Sequence, residues 1–238
     1  KVKKLEKLGI CSIMDLSEIP VDARRDAHLL VISAHGVGPK IFDAAKNLGL
    51  EIIDTTCHWV TKAQGIAKKL YEDGYQVVID GDKEHAEVKG IKGWTGDTAI
   101  VVENPKDAAS VPNRAKIGVV AQTTQSLDNF EKTVDELRKK AGGIVVKNTI
   151  CSSTKRRQKE AVELAKKADL MIVIGDIKSA NTKRLKELCL AEGVETYMIH
   201  SSEEIQKKWL KGKENIGITA GASTPDWVIK EIVDRLEK

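Results

Sequence analysis

Ile117-Gly118-Val119-Val120-Ala121-Gln122-Thr123-Thr124-Gln125-Ser126 reads as a short β-branched strand closed by a loop of amides and hydroxyls. In the next stretch, Leu127–Ala141, apolar residues recur at three- and four-residue intervals, and Ile144–Val146 begins another strand. The same unit repeats along the chain. Strands are predicted at Leu29–Ser33, Glu51–Asp54, Gln76–Asp80, Ala99–Val102, Leu170–Gly175, Glu195–Ile199 and Asn215–Thr219. Amphipathic helices are predicted at Lys40–Leu48, Thr61–Asp73, Lys155–Ala168, Thr182–Glu192 and Pro225–Glu237. Alternation of this kind implies α/β architecture with parallel strands. Right-handed crossovers then bring the loops after the strands to one edge of each sheet, where open α/β sheets bind ligands.

Composition narrows the function classes. The 238 residues are 41% hydrophobic and only 4% aromatic, and 39 basic against 35 acidic residues leave a net charge of +4. That balance does not argue for a nucleic-acid partner, and short runs such as Lys155-Arg156-Arg157 read as solvated helix surface. No apolar run approaches the ~20 residues that span a bilayer, and no secretory signal is visible, so a cytoplasmic protein without membrane contact is expected. The chain starts at Lys1 rather than at a methionine, which leaves a missing start open. Four widely spaced cysteines (Cys11, Cys57, Cys151 and Cys189) suit free thiols or a metal site better than a disulfide framework.

The loops carry the chemistry. Asp54-Thr55-Thr56-Cys57 and Asn148-Thr149-Ile150-Cys151 share the pattern [DN]-T-x-C between a strand and a helix. A cysteine at a helix N-terminus has a lowered thiol pKa, which favours metal binding or nucleophilic attack. The alternative is a pair of small core residues, and exposure decides between the two. Cys189, between Leu188 and Leu190, reads as core, and Cys11 as structural. His85 and Glu87 form H-x-E, either a proton relay held on a loop or a solvated polar loop. The zinc-deaminase reading of H-x-E fails because no P-C-x-x-C follows. His35, between Ala34 and Gly36, has room to approach a ligand; His28 and His200 read as ordinary strand-edge residues, and His58 stays ambiguous. Gln122-Thr123-Thr124, Ser179-Ala180-Asn181 and Ala222-Ser223 are anion-site candidates at helix starts; each taken singly reads first as a helix cap, and together they favour a diphosphate-sized anion.

These segments occur in one order: Ser33-Ala34-His35-Gly36-Val37, Asp54–Cys57, His85-Ala86-Glu87-Val88-Lys89-Gly90, Ala121–Thr124, Asn148–Cys151, Ser179–Asn181 with Arg184-Leu185, and Gly217–Pro225. The series resembles the 4-hydroxy-3-methylbut-2-enyl diphosphate reductase (IspH/LytB) family, from Lys1 nearly to Lys238. The resemblance implies three small parallel-sheet α/β units in pseudo-threefold arrangement around a [4Fe–4S] cluster. It implies cluster ligation by Cys57 and Cys151, with Glu87, Thr123 and His85 catalytic. It also implies substrate contacts from His35, His85, Gln122, Thr123, Thr124, Thr154, Ser179, Asn181 and Ser223. The implied reaction is reductive dehydroxylation of an allylic diphosphate to isopentenyl and dimethylallyl diphosphate, with electrons from a donor such as ferredoxin or flavodoxin.

There are departures from the family pattern. The strand and glycine-rich turn that carry the family's first cluster cysteine do not occur in the sequence. The first unit is therefore expected to be incomplete, the third cysteine ligand to lie upstream of Lys1, and the chain as it stands to hold an incomplete metal site, which leaves its own activity open; an N-terminally incomplete copy of an active iron–sulfur oxidoreductase is the favoured reading. Ala86 replaces a family proline, His58-Trp59 stands where proline and a smaller residue are usual, and Lys178 and Ala180 replace residues of the phosphate loop; Lys178 still suits an anion. Expected boundaries are 1–57 for the remainder of the first unit, with the C-terminal helix 225–238 packing on it, 58–150 for the second and 151–224 for the third. The alternative function is a cluster-free paralogue that binds a small phosphorylated ligand; retention of Glu87 speaks against it, because binding alone needs no proton donor.

Overall fold

The computed structural model describes residues 9–13, 15–19 and 29–237. In chain order its strands are β1 (Leu29–Ile32), β2 (Glu51–Asp54), β3 (Gln76–Asp80), β4 (Ile100–Val102), β5 (Arg114–Ala121), β6 (Ala141–Lys147), β7 (Leu170–Ile174), β8 (Glu195–Ile199) and β9 (Ile216–Ala220). Its helices are α1 (Pro39–Asn47), α2 (His58–Glu72), α3 (Ala86–Gly93), α4 (Pro105–Ala109), α5 (Leu127–Arg138), α6 (Ser152–Ala165), α7 (Ala180–Ala191), α8 (Lys207–Leu210) and α9 (Asp226–Leu236). The strands form three sheets, ordered β1-β2, β4-β3-β5-β6 and β8-β7-β9, and every pairing is parallel. The protein is thus α/β with three parallel-sheet units. Paired strands end together, Ile32 beside Asp54, Asp80 beside Ala121 and Ile174 beside Ala220, so the loops that follow leave one edge of each sheet.

Each sheet is covered according to its alternation of side chains. In the second, Val78 and Val119 pack under Phe130, Val134 and Leu137 of α5. Val77, Ile79 and Val120 face the other way, against Ala63, Ala67 and Leu70 of α2 and Val88 and Ile91 of α3. In the third, Met171 and Val173 meet Ala161 and Ala165 of α6 and Leu185 and Cys189 of α7. Such fully buried aliphatic side chains contribute roughly 1.5–3 kcal/mol each. Leu30 and Ile52 of the first sheet pack with Ala45, Leu50 and Ile19, whereas Leu29, Val31 and Ile53 on its other face are exposed.

Three expectations need correction. The C-terminal helix, α9, packs on the third sheet and not on the first: its apolar face, Val228 and Ile232, meets Leu170, Ile172 and Ile174. His85-Ala86-Glu87 is not held on a loop, because Ala86–Gly93 is a helix with Glu87 in its first turn. β5 begins at Arg114, three residues before the apolar run, because its polar start pairs with the start of β6. The expected content of the first unit at residues 1–8, 14 and 20–28, including His28, lies outside the described residues.

Candidate active site

Two turns of the same construction deliver the two cysteines. After β2, the Asp54 carboxylate accepts the Thr56 N–H at 2.9 Å, Thr55 Oγ1 donates to the Ile32 carbonyl, and the Cys57 N–H donates to the Ala34 carbonyl at 3.0 Å. After β6, Asn148 Oδ1 accepts the Ile150 N–H at 3.1 Å, Thr149 Oγ1 donates to the Ala121 carbonyl, and the Cys151 N–H donates to the Thr123 carbonyl at 3.0 Å. Asp and Asn close such turns through their own side chains, and the threonine ties each turn to the neighbouring strand. Both cysteines become N-caps, of α2 and α6, with thiols that make no capping bond. Cys57 is exposed and Cys151 half-buried. Cys189 is buried, and burial pushes its thiol up to about 11. Exposure thus separates the helix-start pair from the core cysteine, the criterion that governs thiol reactivity. Cys11 is exposed and packs in no core.

Contacts between loops join the two turns. His35, next to Ala34, meets His85 edge-on with ring centroids 5.2 Å apart. His85 caps α3, its Nδ1 accepting the Glu87 N–H at 3.2 Å. The Glu87 carboxyl receives the Thr123 N–H at 2.6 Å and Thr123 Oγ1 at 2.9 Å, and Thr123 is the residue whose carbonyl accepts from Cys151. Glu87 is 2% exposed. Burial raises its carboxyl above the usual range against the two Thr123 bonds, so it retains a proton more readily than an exposed glutamate. The solvated-loop reading of H-x-E is therefore wrong for Glu87; the relay reading finds no direct side-chain bond between His85 and Glu87, the carboxyl bonding to Thr123 and the ring to the backbone.

Glycines permit this approach. A Cβ on Gly93 would stand 2.9 Å from Gly38 Cα, and one on Gly90 would stand 3.3 Å from the Gly36 carbonyl oxygen. α3 therefore lies directly against loop 36–38, and Trp94 Nε1 donates to the Val37 carbonyl at 3.0 Å.

The third unit presents donors to the same edge. Ser179 caps α7. Asn181 is buried with neither amide atom bonded within the described chain, as is Gln122 Nε2. Buried amides are nearly always hydrogen-bonded, so these atoms are suited to a ligand. A cavity of about 300 Å³ is lined by Asp82, Gln122, Thr124, Lys183, Arg184 and Glu187, among others. Thr154 is buried in the first turn of α6, and Ser223 is exposed before α9. Lys178 is exposed and is not among the residues that line the cavity, whereas Lys183 is. His58 packs edge-on against Trp59, and exposed His200 pairs with Glu204.

Arg184, named in the motif series without a role, reaches across from α7 to Gln125 Oε1 at 2.8 Å. Gln125, Asp80 and Gln158 carry no role in the sequence reading: Gln125 Nε2 donates to the buried Asp80 carboxylate at 3.0 Å, and Gln158 Nε2 donates to the Thr124 carbonyl at 3.3 Å. Gln158 lies one turn after Thr154, and that spacing was the available signal.

The LytB protein family model matches residues 1–237. The chain belongs to the LytB family. Relatives named 4-hydroxy-3-methylbut-2-enyl diphosphate reductase include one from Geotalea uraniireducens, 44% identical over 237 residues, which covers 100% of this chain and 82% of the relative. Another, from Geobacter sulfurreducens, is 43% identical with the same coverage. Among solved LytB-type structures, the E-1-hydroxy-2-methyl-but-2-enyl-4-diphosphate reductase of Plasmodium falciparum superposes with a TM-score of 0.90 at 31% identity, covering 99% of this chain and 74% of that one. A second, described as the terminal enzyme of the non-mevalonate pathway, gives 0.65 at 35% identity, covering 99% and 83%. Among the described residues no helix is long and apolar enough to cross a membrane.

Proposed function

We propose that this LytB-family chain is an oxidoreductase that removes the hydroxyl of 4-hydroxy-3-methylbut-2-enyl diphosphate, giving isopentenyl and dimethylallyl diphosphate, the last step of the non-mevalonate route. The observation that carries this reading is the unbroken run of contacts Cys57–Ala34, His35–His85, Glu87–Thr123 and Thr123–Cys151. It ties the backbones of two helix-start cysteines to one buried acid.

The donor set fits an iron–sulfur group in kind. Soft thiolates are its usual ligands, and Cys57 and Cys151 are the two cysteines held at helix N-termini without a capping bond. Among the described residues no group of three or more His, Cys, Asp or Glu side chains converges; Cys57 and Cys151 are assigned as ligands on the family resemblance and on their place at helix starts. When bound, a [4Fe–4S] cluster would supply the two electrons of the reduction, drawn from a donor such as ferredoxin or flavodoxin in the cytoplasm.

The chain's own residues do the rest. Hydroxide is a poor leaving group and must be protonated as the C–O bond breaks. Glu87 is the group assigned to carry that proton, because burial raises its carboxyl above the usual range and favours the protonated form. Thr123 Oγ1 is bonded to it at 2.9 Å; on transfer this bond reverses, Oγ1 accepting the Glu87 proton as it gives its own to the substrate hydroxyl. The diphosphate takes donors from His35, His85, Gln122, Thr124, Ser179, Asn181 and Ser223, and Thr154 stands in the first turn behind Cys151. Burial of Glu87 and Thr123 strengthens the bonds between them.

The test is reduction of the allylic diphosphate by a chemical electron donor, with protein purified without oxygen and its iron determined. Cys57→Ser and Cys151→Ser should each abolish bound iron and turnover, whereas Cys189→Ser should leave both unchanged. Full iron content in either of the first two variants contradicts the assignment.

A further inference from the structure

His85 has two ring nitrogens with different tasks. Nδ1 lies 3.2 Å from the backbone N–H of Glu87. A backbone N–H can only donate, so Nδ1 must offer a lone pair, and the single proton of the neutral ring then sits on Nε2. The imidazole fills the place that Ser, Asp or Asn usually takes at a helix start. The carboxyl of Glu87 meanwhile bonds to Thr123 on both oxygens and makes no bond to the ring.

We infer that His85 is a positioning residue that acts through Glu87: its neutral ring caps α3, fixes the acid against Thr123, and is not itself a source of the reaction's protons. Nε2–H remains as a hydrogen-bond donor toward an anionic ligand. Protonating the ring would set a second N–H against the Glu87 N–H and break the cap.

The groups around the ring favour the neutral form. Burial lowers its pKa most, the neighbouring His35 and the Lys183 ammonium lower it further, and the Asp82 carboxylate opposes them. His35 meets the ring edge-on, Asp82 precedes it in the same turn with its carbonyl accepting the His85 N–H, and Lys183 approaches from α7.

The tautomer is testable without any cofactor or turnover, by nitrogen NMR of histidine-labelled apoprotein with the resonance assigned through His85→Asn. The expected result at pH 7 is a neutral ring protonated at Nε2, with the Glu87 amide shifting at the same midpoint when the ring titrates on acidification. A ring protonated at Nδ1, or doubly protonated at pH 7, overturns the inference.

The activity arm rests on the reductase reading. His85→Asn keeps a capping acceptor and should raise KM while leaving kcat within a few-fold. His85→Ala and His85→Gln lose the cap and should lose kcat on the order of 10²-fold, the scale of a misplaced catalytic group. In a Glu87→Gln background His85→Ala should cost little further, because the residue it positions no longer acts. A full His85→Ala loss persisting in that background, or a His85→Gln protein faster than His85→Asn, contradicts the role. If the unmodified chain shows no reductase turnover, the functional reading fails and the NMR result still decides the part played by His85.

Discussion

The turns ending in Cys57 and Cys151 use the same bonds on very different supports. Among the described residues, the Cys57 turn follows a two-stranded sheet with Val31 and Ile53 exposed on one face. The Cys151 turn leaves a four-stranded sheet packed on both faces. In both, an Asp or Asn closes the turn, the threonine hydroxyl donates to the last residue of the adjacent strand, and the cysteine N–H donates two residues further on. Local hydrogen bonding therefore sets the thiol position, and the sheet sets how wet it is. The braces differ as well. Loop 122–126 is gripped by Asp80, Gln158 and Arg184 through side chains; loop 36–38 is gripped by glycine contacts and Trp94.

The largest expected effect tests whether the two turns share one acid. Glu87→Gln keeps the size and the bonds to Thr123 but removes the ionisable proton, so steady-state turnover should fall about 10²–10⁴-fold with substrate binding retained. Near-normal turnover would move the acid elsewhere and leave the turns without a common chemistry.

Next is the threonine that each turn shares. Thr149 Oγ1 donates to the Ala121 carbonyl and accepts the Ala121 N–H, all buried. Thr149→Val leaves both groups unpaired and should cost about 1–3 kcal/mol in urea unfolding. The Ile32 carbonyl also receives the Thr55 N–H, so Thr55→Val at the exposed turn should cost less than about 1 kcal/mol. Equal losses would show that burial does not distinguish the supports.

The smallest effect concerns the brace on loop 122–126. Burial raises the Asp80 carboxyl from 3.8 to about 7, against its bonds from Gln125 and Asn129 and the Arg184 charge. The folded state thus holds this proton more tightly than the unfolded chain. Its stabilising contribution is complete below pH 3.8 and is lost as pH rises to about 7. Asp80→Asn should flatten that part of the stability–pH curve, measured by denaturant melts across the window; an unchanged slope contradicts the assignment.

Much of this was legible in the sequence, and the misses have physical causes. β2, β3 and β8 fall on the apolar runs Glu51–Asp54, Gln76–Asp80 and Glu195–Ile199. The [DN]-T-x-C repeat marked two real turns. The sequence reading places no helix over α3, where Gly90 and Gly93 serve close contact with loop 36–38. Glu87, left open there between a relay and a solvated loop, is buried. Arg184, Gln125 and Asp80 lie far apart in sequence, and only folding of α7 against the β5–α5 loop brings them together.

The central claim is that the Cys57 and Cys151 turns open onto one site. Treating the apoprotein with a short bifunctional thiol reagent and mapping the adducts by peptide mass spectrometry tests it most directly. The account expects one dominant intramolecular link, between Cys57 and Cys151, absent in Cys57→Ser and in Cys151→Ser and unaffected by Cys189→Ser. Separate single adducts on Cys57 and Cys151 with no link between them would contradict it.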